Sequence, residues 1–284
     1  MRIIYLFCSI FAVLFSLNGA EVLPHKKLEV NMENVIKKYF PQTEVIKADE
    51  VEQQYLVSAG KDRFWLAVPT GKPLNSLHFV IVFSGRGGTG KDNNISAEGI
   101  RGDFRRKMLS AGFAFICAEC SPEAWGDPES TRATLAALEY CRKQGVAIPE
   151  KIDLLGFSMG GLGALMFAAR NPEKVNRIVD VFGITDLEEF YKKGKYRAKL
   201  GEIPEAERLD RSPCAKVERY KNMEILIIHG DEDAIVDISF SQRFYELLKK
   251  HNVPSRFVVI PDMGHSNNIL GKIDTLIPDF FSKK

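Results

Sequence analysis

Near its middle the chain carries the segment Leu154-Leu155-Gly156-Phe157-Ser158-Met159-Gly160-Gly161-Leu162-Gly163. The aliphatic residues from Ile152 to Phe157 predict a short buried strand, and the small and apolar residues from Met159 to Arg170 predict a helix. Ser158 would then lie on a sharp turn between them, where a Cβ at the flanking glycines would clash with the strained backbone. Such a turn lifts the hydroxyl above the sheet edge, so Ser158 is a candidate nucleophile. The alternative is a glycine-rich packing turn whose serine has no chemical role.

Strand and helix patterns alternate on both sides of this turn. Predicted strands are Gln54 to Ala59, Arg63 to Val68, Phe79 to Phe83, Phe113 to Cys117, Ile152 to Phe157, Val175 to Val181, Glu224 to Ile228 and Arg256 to Ile260. Predicted helices are Glu98 to Ser110, Ser130 to Lys143, Met159 to Arg170, Ser239 to His251 and Asn267 to Phe281. Because parallel strands need crossover connections, which are usually helices, this order predicts an α/β fold. We expect a mostly parallel, doubly wound sheet with helices on both faces and an antiparallel N-terminal hairpin at its edge.

The N-terminal residues have a different character. Arg2 precedes an uncharged apolar run from Ile3 to Leu17, and Asn18-Gly19-Ala20 follows it. This pattern predicts a signal peptide over residues 1–20 and a secreted or periplasmic protein. Asn18 stands where a small residue is usual, so the cleavage point, or retention as an anchor, stays open. A buried N-terminal helix is the further alternative.

Three further regions follow the predicted signal peptide. Residues 21–53 are polar and charged, which predicts an N-terminal extension that is partly helical around Met32 to Tyr39. Residues 54–284 carry the alternating pattern of one α/β domain. Within it the pattern breaks over residues 184–221, where charges accumulate around Pro204 and Pro213. This insert is either a short lid above the site or a solvated excursion of loop and helix.

The composition excludes several classes of protein. The 284 residues are 45% hydrophobic, which suffices for a large core, and their net charge of +2 includes no long run of one sign. Neither nucleic acid nor, beyond the export signal, a membrane is therefore expected as a partner. Cys117, Cys120, Cys141 and Cys214 could form two disulfides in an exported protein, although Cys117 ends an apolar strand and is expected to be a buried small residue. No second C-x-x-C accompanies Cys117 and Cys120, so no metal is expected.

A serine hydroxyl needs a base, and the base needs an acid that orients it. His265 follows the strand Arg256 to Ile260, on the loop at its carboxyl end, where active groups of parallel sheets gather. Among the other histidines, His229 is expected to brace its loop, His78 precedes its strand, and His25 and His251 lie away from this edge. Asp233 follows the Glu224 strand and precedes the apolar run Ala234-Ile235-Val236, which would bury its loop. We therefore predict Asp233 as the orienting acid rather than Asp231, which is expected to form a turn.

Three motifs in this order resemble the α/β-hydrolase family: Gly156-Phe157-Ser158-Met159-Gly160, His229-Gly230-Asp231-Glu232-Asp233 and Gly264-His265. The acid loop, matched through Val236, is similar to those of secreted esterases and of the prolyl-oligopeptidase and dienelactone-hydrolase branches. The resemblance covers about residue 54 to the C-terminus and implies a Ser-His-Asp hydrolase. It therefore implies Ser158 as nucleophile, His265 as base and Asp233 as orienting acid.

The loop after the third predicted strand departs from the family pattern. In place of H-G-G it reads Phe83-Ser84-Gly85-Arg86-Gly87-Gly88-Thr89-Gly90, which also lacks the spacing of a phosphate-binding P-loop, so no cofactor is expected. An oxyanion needs N–H groups and not particular side chains. We therefore expect the amides of Met159 and Arg86 as donors, with Gly87 as the reserve. The Arg86 side chain would be structural or solvated, or would hold an acidic substrate.

Trp125 follows the Phe113 strand, at the same edge of the predicted sheet. A tryptophan there forms either a wall of the substrate pocket or part of the packing. The sequence as a whole predicts a secreted serine hydrolase that cleaves carboxylic esters, acylated carbohydrates among them, through an acyl-enzyme. The alternatives are a peptidase of prolyl-oligopeptidase type, although the chain is short for the propeller of such enzymes, and a hydrolase-fold binding protein without turnover.

Overall fold

A computed structural model describes residues 36–283; the predicted signal peptide and residues 21–35 of the predicted extension lie outside this range. The described part contains a nine-stranded sheet in the order β1-β2-β3-β5-β4-β6-β7-β8-β9. Its strands are β1 Thr43–Ala48, β2 Glu52–Ala59, β3 Asp62–Pro69, β4 His78–Phe83, β5 Phe113–Ala118, β6 Ile152–Phe157, β7 Val175–Val181, β8 Glu224–Gly230 and β9 Ser255–Ile260. Strands β4 to β9 pair in parallel, and β1, β2 and β3 are antiparallel. The predicted α/β class and the antiparallel N-terminal edge are confirmed.

Helices cover both faces of the sheet. They are α1 Ile100–Ser110, α2 Pro128–Lys143, α3 Met159–Arg170, α4 Leu187–Lys192, α5 Arg197–Leu200, α6 Glu205–Asp210, α7 Ser239–Lys250 and α8 Leu276–Ser282. Apolar residues of α2, α3 and α7 pack on one face, and those of α1 and α8 pack on the other. The strands supply both cores because successive side chains point to opposite faces, as with Ile81 in the first core and Val82 in the second. None of the helices in residues 36–283 is long and apolar enough to cross a membrane.

The sheet begins earlier than the sequence pattern indicated. Strand β1 lies inside the predicted extension, for which only partial helix was expected, and pairs with β2 along its length. Most of β1 is exposed, so no alternation of apolar and polar residues marks it. Ile36 and Phe40, just before it, are buried in the core, so this part of the extension packs on the domain.

The C-terminal helix is divided, which corrects the predicted single helix from Asn267 to Phe281. Asn267–Gly271 form a 3₁₀ turn, and α8 begins only at Leu276. Pro278 gives the reason, because proline has no N–H to donate and fits only in the first turn of a helix. In α8 it is the third residue, whereas in the predicted helix it would have been interior.

The four described cysteines are free thiols, so neither of the two possible disulfides is present among them. Cys117 is buried, as expected for a small core residue, and Cys141 is buried as well. Burial raises the pKa of the Cys141 thiol to about 12 and that of the Cys120 thiol to about 11. Thiols of such high pKa are poor nucleophiles at neutral pH.

Candidate active site

Ser158 occupies the turn between β6 and α3. Its backbone angles of φ 55° and ψ −120° are strained for a residue with a side chain. A Cβ on Gly156 would lie 2.5 Å from the carbonyl oxygen of Gly160, and a Cβ on Gly160 would lie 2.0 Å from that of Phe83. Both flanking positions therefore require glycine, and the packing they permit holds the Ser158 backbone in its unusual conformation.

His265 and Asp233 meet Ser158 at the carboxyl end of the sheet. The Oγ of Ser158 donates to His265 Nε2 over 2.8 Å, and His265 Nδ1 donates to Asp233 Oδ2 over 2.6 Å. The second oxygen of Asp233 accepts hydrogen bonds of 2.9 Å from the amides of Ile235 and Val236. The carboxylate is thus fixed at both oxygens, and it fixes the histidine ring in turn.

The electrostatics around Asp233 favour its ionised form. Burial alone would raise the pKa of the carboxyl, but hydrogen bonds from His229 and His265 outweigh burial and hold the pKa well below its usual range. His229 is fully buried, donates from Nε2 to the carbonyl of Val236 over 2.8 Å, and lies 3.4 Å from Asp233 Oδ2. Its Nδ1 lies 2.7 Å from the Ser241 hydroxyl. His229 therefore ties the acid loop together instead of reaching Ser158.

The remaining sequence candidates lie elsewhere. His78, at the start of β4, contacts Asp153 over 2.8 Å, and His251 pairs with Glu218 beyond the end of α7. His25 is outside the described residues. Asp231 belongs to the loop after β8, where its carboxylate lies 3.4 Å from the amide of Met263. These side chains make no hydrogen bond to Ser158 or His265 within residues 36–283.

Two backbone amides, one next to Ser158 in the chain and one in the wall of the same cleft, lack an acceptor among the described residues. The amides of Met159 and Arg86 donate to no described residue, whereas the amide of Gly87 donates to the carbonyl of Pro122 over 2.9 Å. Of the two alternatives on this loop, Arg86 is therefore the available donor. The loop is held by Asn94, whose Oδ1 accepts from the Gly85 amide over 2.6 Å. Sequence reasoning missed Asn94, for which the only signal was its place shortly after the glycine-rich loop.

The side chain of Arg86 is engaged with the protein. Its guanidinium lies 2.7 Å from Glu123 and 4.7 Å from the ring centre of Tyr196. Of the roles considered for it, the structural one agrees with these contacts. Tyr196 comes from the insert over residues 184–221, so Arg86 connects the insert to the loop beside Ser158.

A cleft of about 200 Å³ opens at Ser158 and His265. Tyr196 and Phe182 contribute aromatic walls, and the Phe182 ring lies 4.4 Å from the His265 ring, centre to centre. Sequence reasoning identified neither residue. Trp125 does not line this cleft: it is 1% exposed and packs against Tyr196, with ring centres 5.6 Å apart. Of the two roles considered for Trp125, packing agrees with this placement.

A serine on a strand-turn-helix, facing a histidine and an aspartate from later loops of a mostly parallel sheet, defines an α/β hydrolase. Residues 124–282, more than half of the chain, match the prolyl oligopeptidase family, and the chain belongs to that family. The acylamino-acid-releasing enzyme of Arabidopsis thaliana is 28% identical over 154 residues, which are 48% of this chain and 20% of that enzyme. The chain thus spans about a fifth of the length of that relative.

Solved structures share the fold. A truncated carbohydrate esterase from gut microbiota is similar with a TM-score of 0.69 and 20% identity, over 84% of this chain and 98% of that one. The acylaminoacyl peptidase of Pyrococcus horikoshii is similar with a TM-score of 0.65 and 16% identity, over 89% of this chain and 43% of that one. At these identities the likeness establishes the fold and leaves the substrate open.

Proposed function

We propose that the protein is a serine hydrolase that cleaves carboxylic esters through a Ser-His-Asp triad. The observation that carries the proposal is the unbroken hydrogen-bond chain from Ser158 through His265 to Asp233, beside two unpartnered amides. Ser158 is the nucleophile, His265 the base, and Asp233 the acid that orients the base. The amides of Met159 and Arg86 are the donors for the oxyanion.

The reaction follows from these positions. Ser158 Oγ attacks the ester carbonyl while its proton passes to His265 Nε2, and the resulting oxyanion accepts from the two amides. His265 then gives this proton to the departing alcohol, which leaves an acyl-enzyme on Ser158. A water molecule, deprotonated by His265, attacks the acyl group and releases the acid, and the proton returns to Ser158. The low pKa of Asp233 keeps it ionised throughout, so it stabilises the imidazolium at each step.

Activity should fall on acidification because His265 must be neutral to accept the proton of Ser158. Protonation of Asp233 should not contribute to this loss, because the pKa of its carboxyl is held well below its usual range. The pH profile of kcat/KM should therefore show one acidic limb whose slope corresponds to a single proton.

Ester hydrolysis is the first choice among the activities of this fold. In its support, the carbohydrate esterase matches along 98% of its length, whereas the acylaminoacyl peptidase matches along 43% of its length. Membership of the prolyl oligopeptidase family supports a peptidase as the second candidate. Acetylated sugars and dipeptide amides, assayed side by side, separate the two: faster turnover of the amides would favour the peptidase.

The direct test is the variant Ser158→Ala. It should retain the fold and lose both nitrophenyl acetate turnover and labelling by a fluorophosphonate probe. Ser255→Ala is the matched control, since Ser255 lies at the start of β9 and its hydroxyl donates only to the carbonyl of Val253. Full turnover by Ser158→Ala would refute the proposal, and an unlabelled wild-type protein would favour a binding protein without turnover.

We also propose that the protein is exported. The support is the basic, apolar and small-residue pattern of residues 1–20, which lie outside the described residues. The proposed partner is a small-molecule or carbohydrate ester, and the net charge of +2 without long like-charged runs speaks against nucleic acid. Fractionation of expressing cells, followed by N-terminal sequencing of the product, tests export and the cleavage point.

A further inference from the structure

A second cleft adjoins the one at Ser158. It has a volume of about 350 Å³ and shares Gly85, Arg86, Asn94 and Asn267 with the first cleft. Asn267 lies two residues after His265 on the same loop. His265 must protonate the departing alcohol, and Asn267 on the following residues borders both clefts, so an alcohol portion that leaves past His265 can enter the second cleft. The second cleft is therefore placed to receive that portion.

The walls of the second cleft carry polar groups that the protein itself does not use. Arg101, in the first turn of α1, is half-buried and has neither a hydrogen bond nor an ion pair within residues 36–283. The carboxylate of Asp92, which is exposed at the mouth of this cleft, has no partner in the described chain either. The Nδ2 group of Asn267 donates to no described residue, although its Oδ1 accepts from Asn94 over 3.0 Å.

Burying part of an arginine without a partner costs stability, and the first turn of a helix is where the helix dipole disfavours a cation. No contact within the described chain offsets this cost at Arg101. By contrast, Arg86 in the same cleft is paired with Glu123. Arg101 thus differs from its neighbour in having its donors available to a ligand.

The free groups set the chemistry of that ligand. Arg101 and the Asn267 amide offer donors, while Asp92 offers only an acceptor at neutral pH. An anionic group could use the donors but would meet repulsion from Asp92. Hydroxyl groups both donate and accept, so a ligand with several hydroxyls satisfies all three residues. Gly87 leaves this cleft open, because a Cβ added at its position would have no other atom of the described chain within 4 Å, its chain neighbours excepted.

We propose that this second cleft is the subsite for a polyhydroxylated alcohol, a sugar ring, held by Arg101, Asp92 and Asn267. The inference rests on the proposed ester hydrolysis and deepens it. It assigns the sugar to the alcohol side of the ester bond, so that the substrate is an O-acylated carbohydrate. The acyl portion then lies in the cleft at Ser158, on the side of Phe182 and Tyr196.

The test compares two substrates with the same acyl group, a monoacetylated methyl xyloside and ethyl acetate. Wild-type kcat/KM should favour the xyloside ester. The variant Arg101→Met should lower the ratio of the two kcat/KM values about tenfold, the effect of losing one hydrogen bond to a charged group, and Asp92→Asn, which keeps an acceptor but loses the charge, should lower it by a smaller factor. Arg256→Met is the matched control, because Arg256 is exposed and unpaired in the described chain and lies on the edge strand β9.

Other outcomes overturn the inference in distinct ways. An unchanged ratio in both variants, or no wild-type preference for the xyloside ester, shows that the cleft does not bind the sugar. An acetylated methyl glucuronide supplies a third arm: if Asp92→Asn raises its kcat/KM while Arg101→Met lowers it, the cleft selects an anion. Failure of the proposed function appears separately, as absence of Ser158-dependent turnover of nitrophenyl acetate in the wild-type protein.

Discussion

Asp180 makes the folded state sensitive to pH, which the substitution Asp180→Asn tests. This residue of β7 is fully buried, and neither of its carboxyl oxygens has a hydrogen-bond partner in the described chain. Its carboxyl packs against Gly161 of α3 and Gly183, so closely that a Cβ on either glycine would lie about 2 Å from it. Burial raises its pKa to about 7, an effect that the nearby His229 ring offsets only in part.

The sign of the effect follows from proton binding. Between the ordinary value of 3.8 and about 7, the folded protein keeps a proton on Asp180 that the unfolded chain has released. The free energy of unfolding therefore decreases as the pH rises through this window, and the full penalty is present above pH 7. The pKa of Asp180 in the folded protein and its ordinary value differ by roughly three units, which corresponds to a free-energy penalty of about 4 kcal/mol at about 1.4 kcal/mol for each unit.

Asparagine has nearly the same shape and carries no charge, so Asp180→Asn removes the penalty. The difference in unfolding free energy between the variant and the wild-type protein should therefore grow as the pH rises from 4 to 8. Over this range it should change in favour of the variant by on the order of 4 kcal/mol. Urea unfolding at intervals of one pH unit measures this, with the exposed Asp279→Asn as the control. A difference between variant and wild type that is constant over this pH range would refute the reasoning.

Three further predictions concern stability and catalysis. Glu52→Gln should lower the free energy of unfolding by about 3–5 kcal/mol in urea titrations, because it leaves the buried guanidinium of Arg105 without the carboxylate now 2.6 Å away. Gly160→Ala should destabilise the protein by about 3 kcal/mol or more by thermal unfolding, since the new Cβ would meet the Phe83 carbonyl. Asp233→Asn should lower nitrophenyl acetate turnover about 10⁴-fold, and it should also lower the melting temperature, because hydrogen bonds in the folded state hold the pKa of this carboxyl well below its usual range; turnover within tenfold of wild type would contradict its role.

The central sheet was predictable because burial on both faces leaves continuous apolar runs. Strands β4 to β8 consist almost entirely of buried residues, and their runs stand out against polar connections. Strand β1 was not predicted from the sequence. It is stabilised by pairing with β2, and most of its side chains face solvent, so it has no apolar run. The division of the last helix could have been inferred from Pro278, whose place in a first turn is a local rule.

The candidate site also divides into residues that a local sequence pattern marks and residues that only the tertiary fold brings together. Ser158, Asp233 and His265 were identified because each follows a strand whose end could be read from the sequence. Phe182 directly follows β7, whose end was also predicted, but nothing in its side chain marked it as a site residue. Asn94 contacts the loop through its position in space, and no local sequence pattern indicates this. Tyr196 is the extreme case, since it comes from an insert without regular periodicity and meets the site only through the tertiary fold.

The insert over residues 184–221 contacts the glycine-rich loop beside Ser158. This contact bears on the two roles considered for the insert. Arg86 lines the cleft at Ser158, while its guanidinium contacts both Glu123 and the ring of Tyr196. Displacement of Tyr196 would remove this contact and one wall of the cleft together. A lid that closes over a substrate would use this contact to position the loop at Arg86, and a fixed excursion of loop and helix would use it to pack on the domain. The contact agrees with both roles, so the lid stays a prediction.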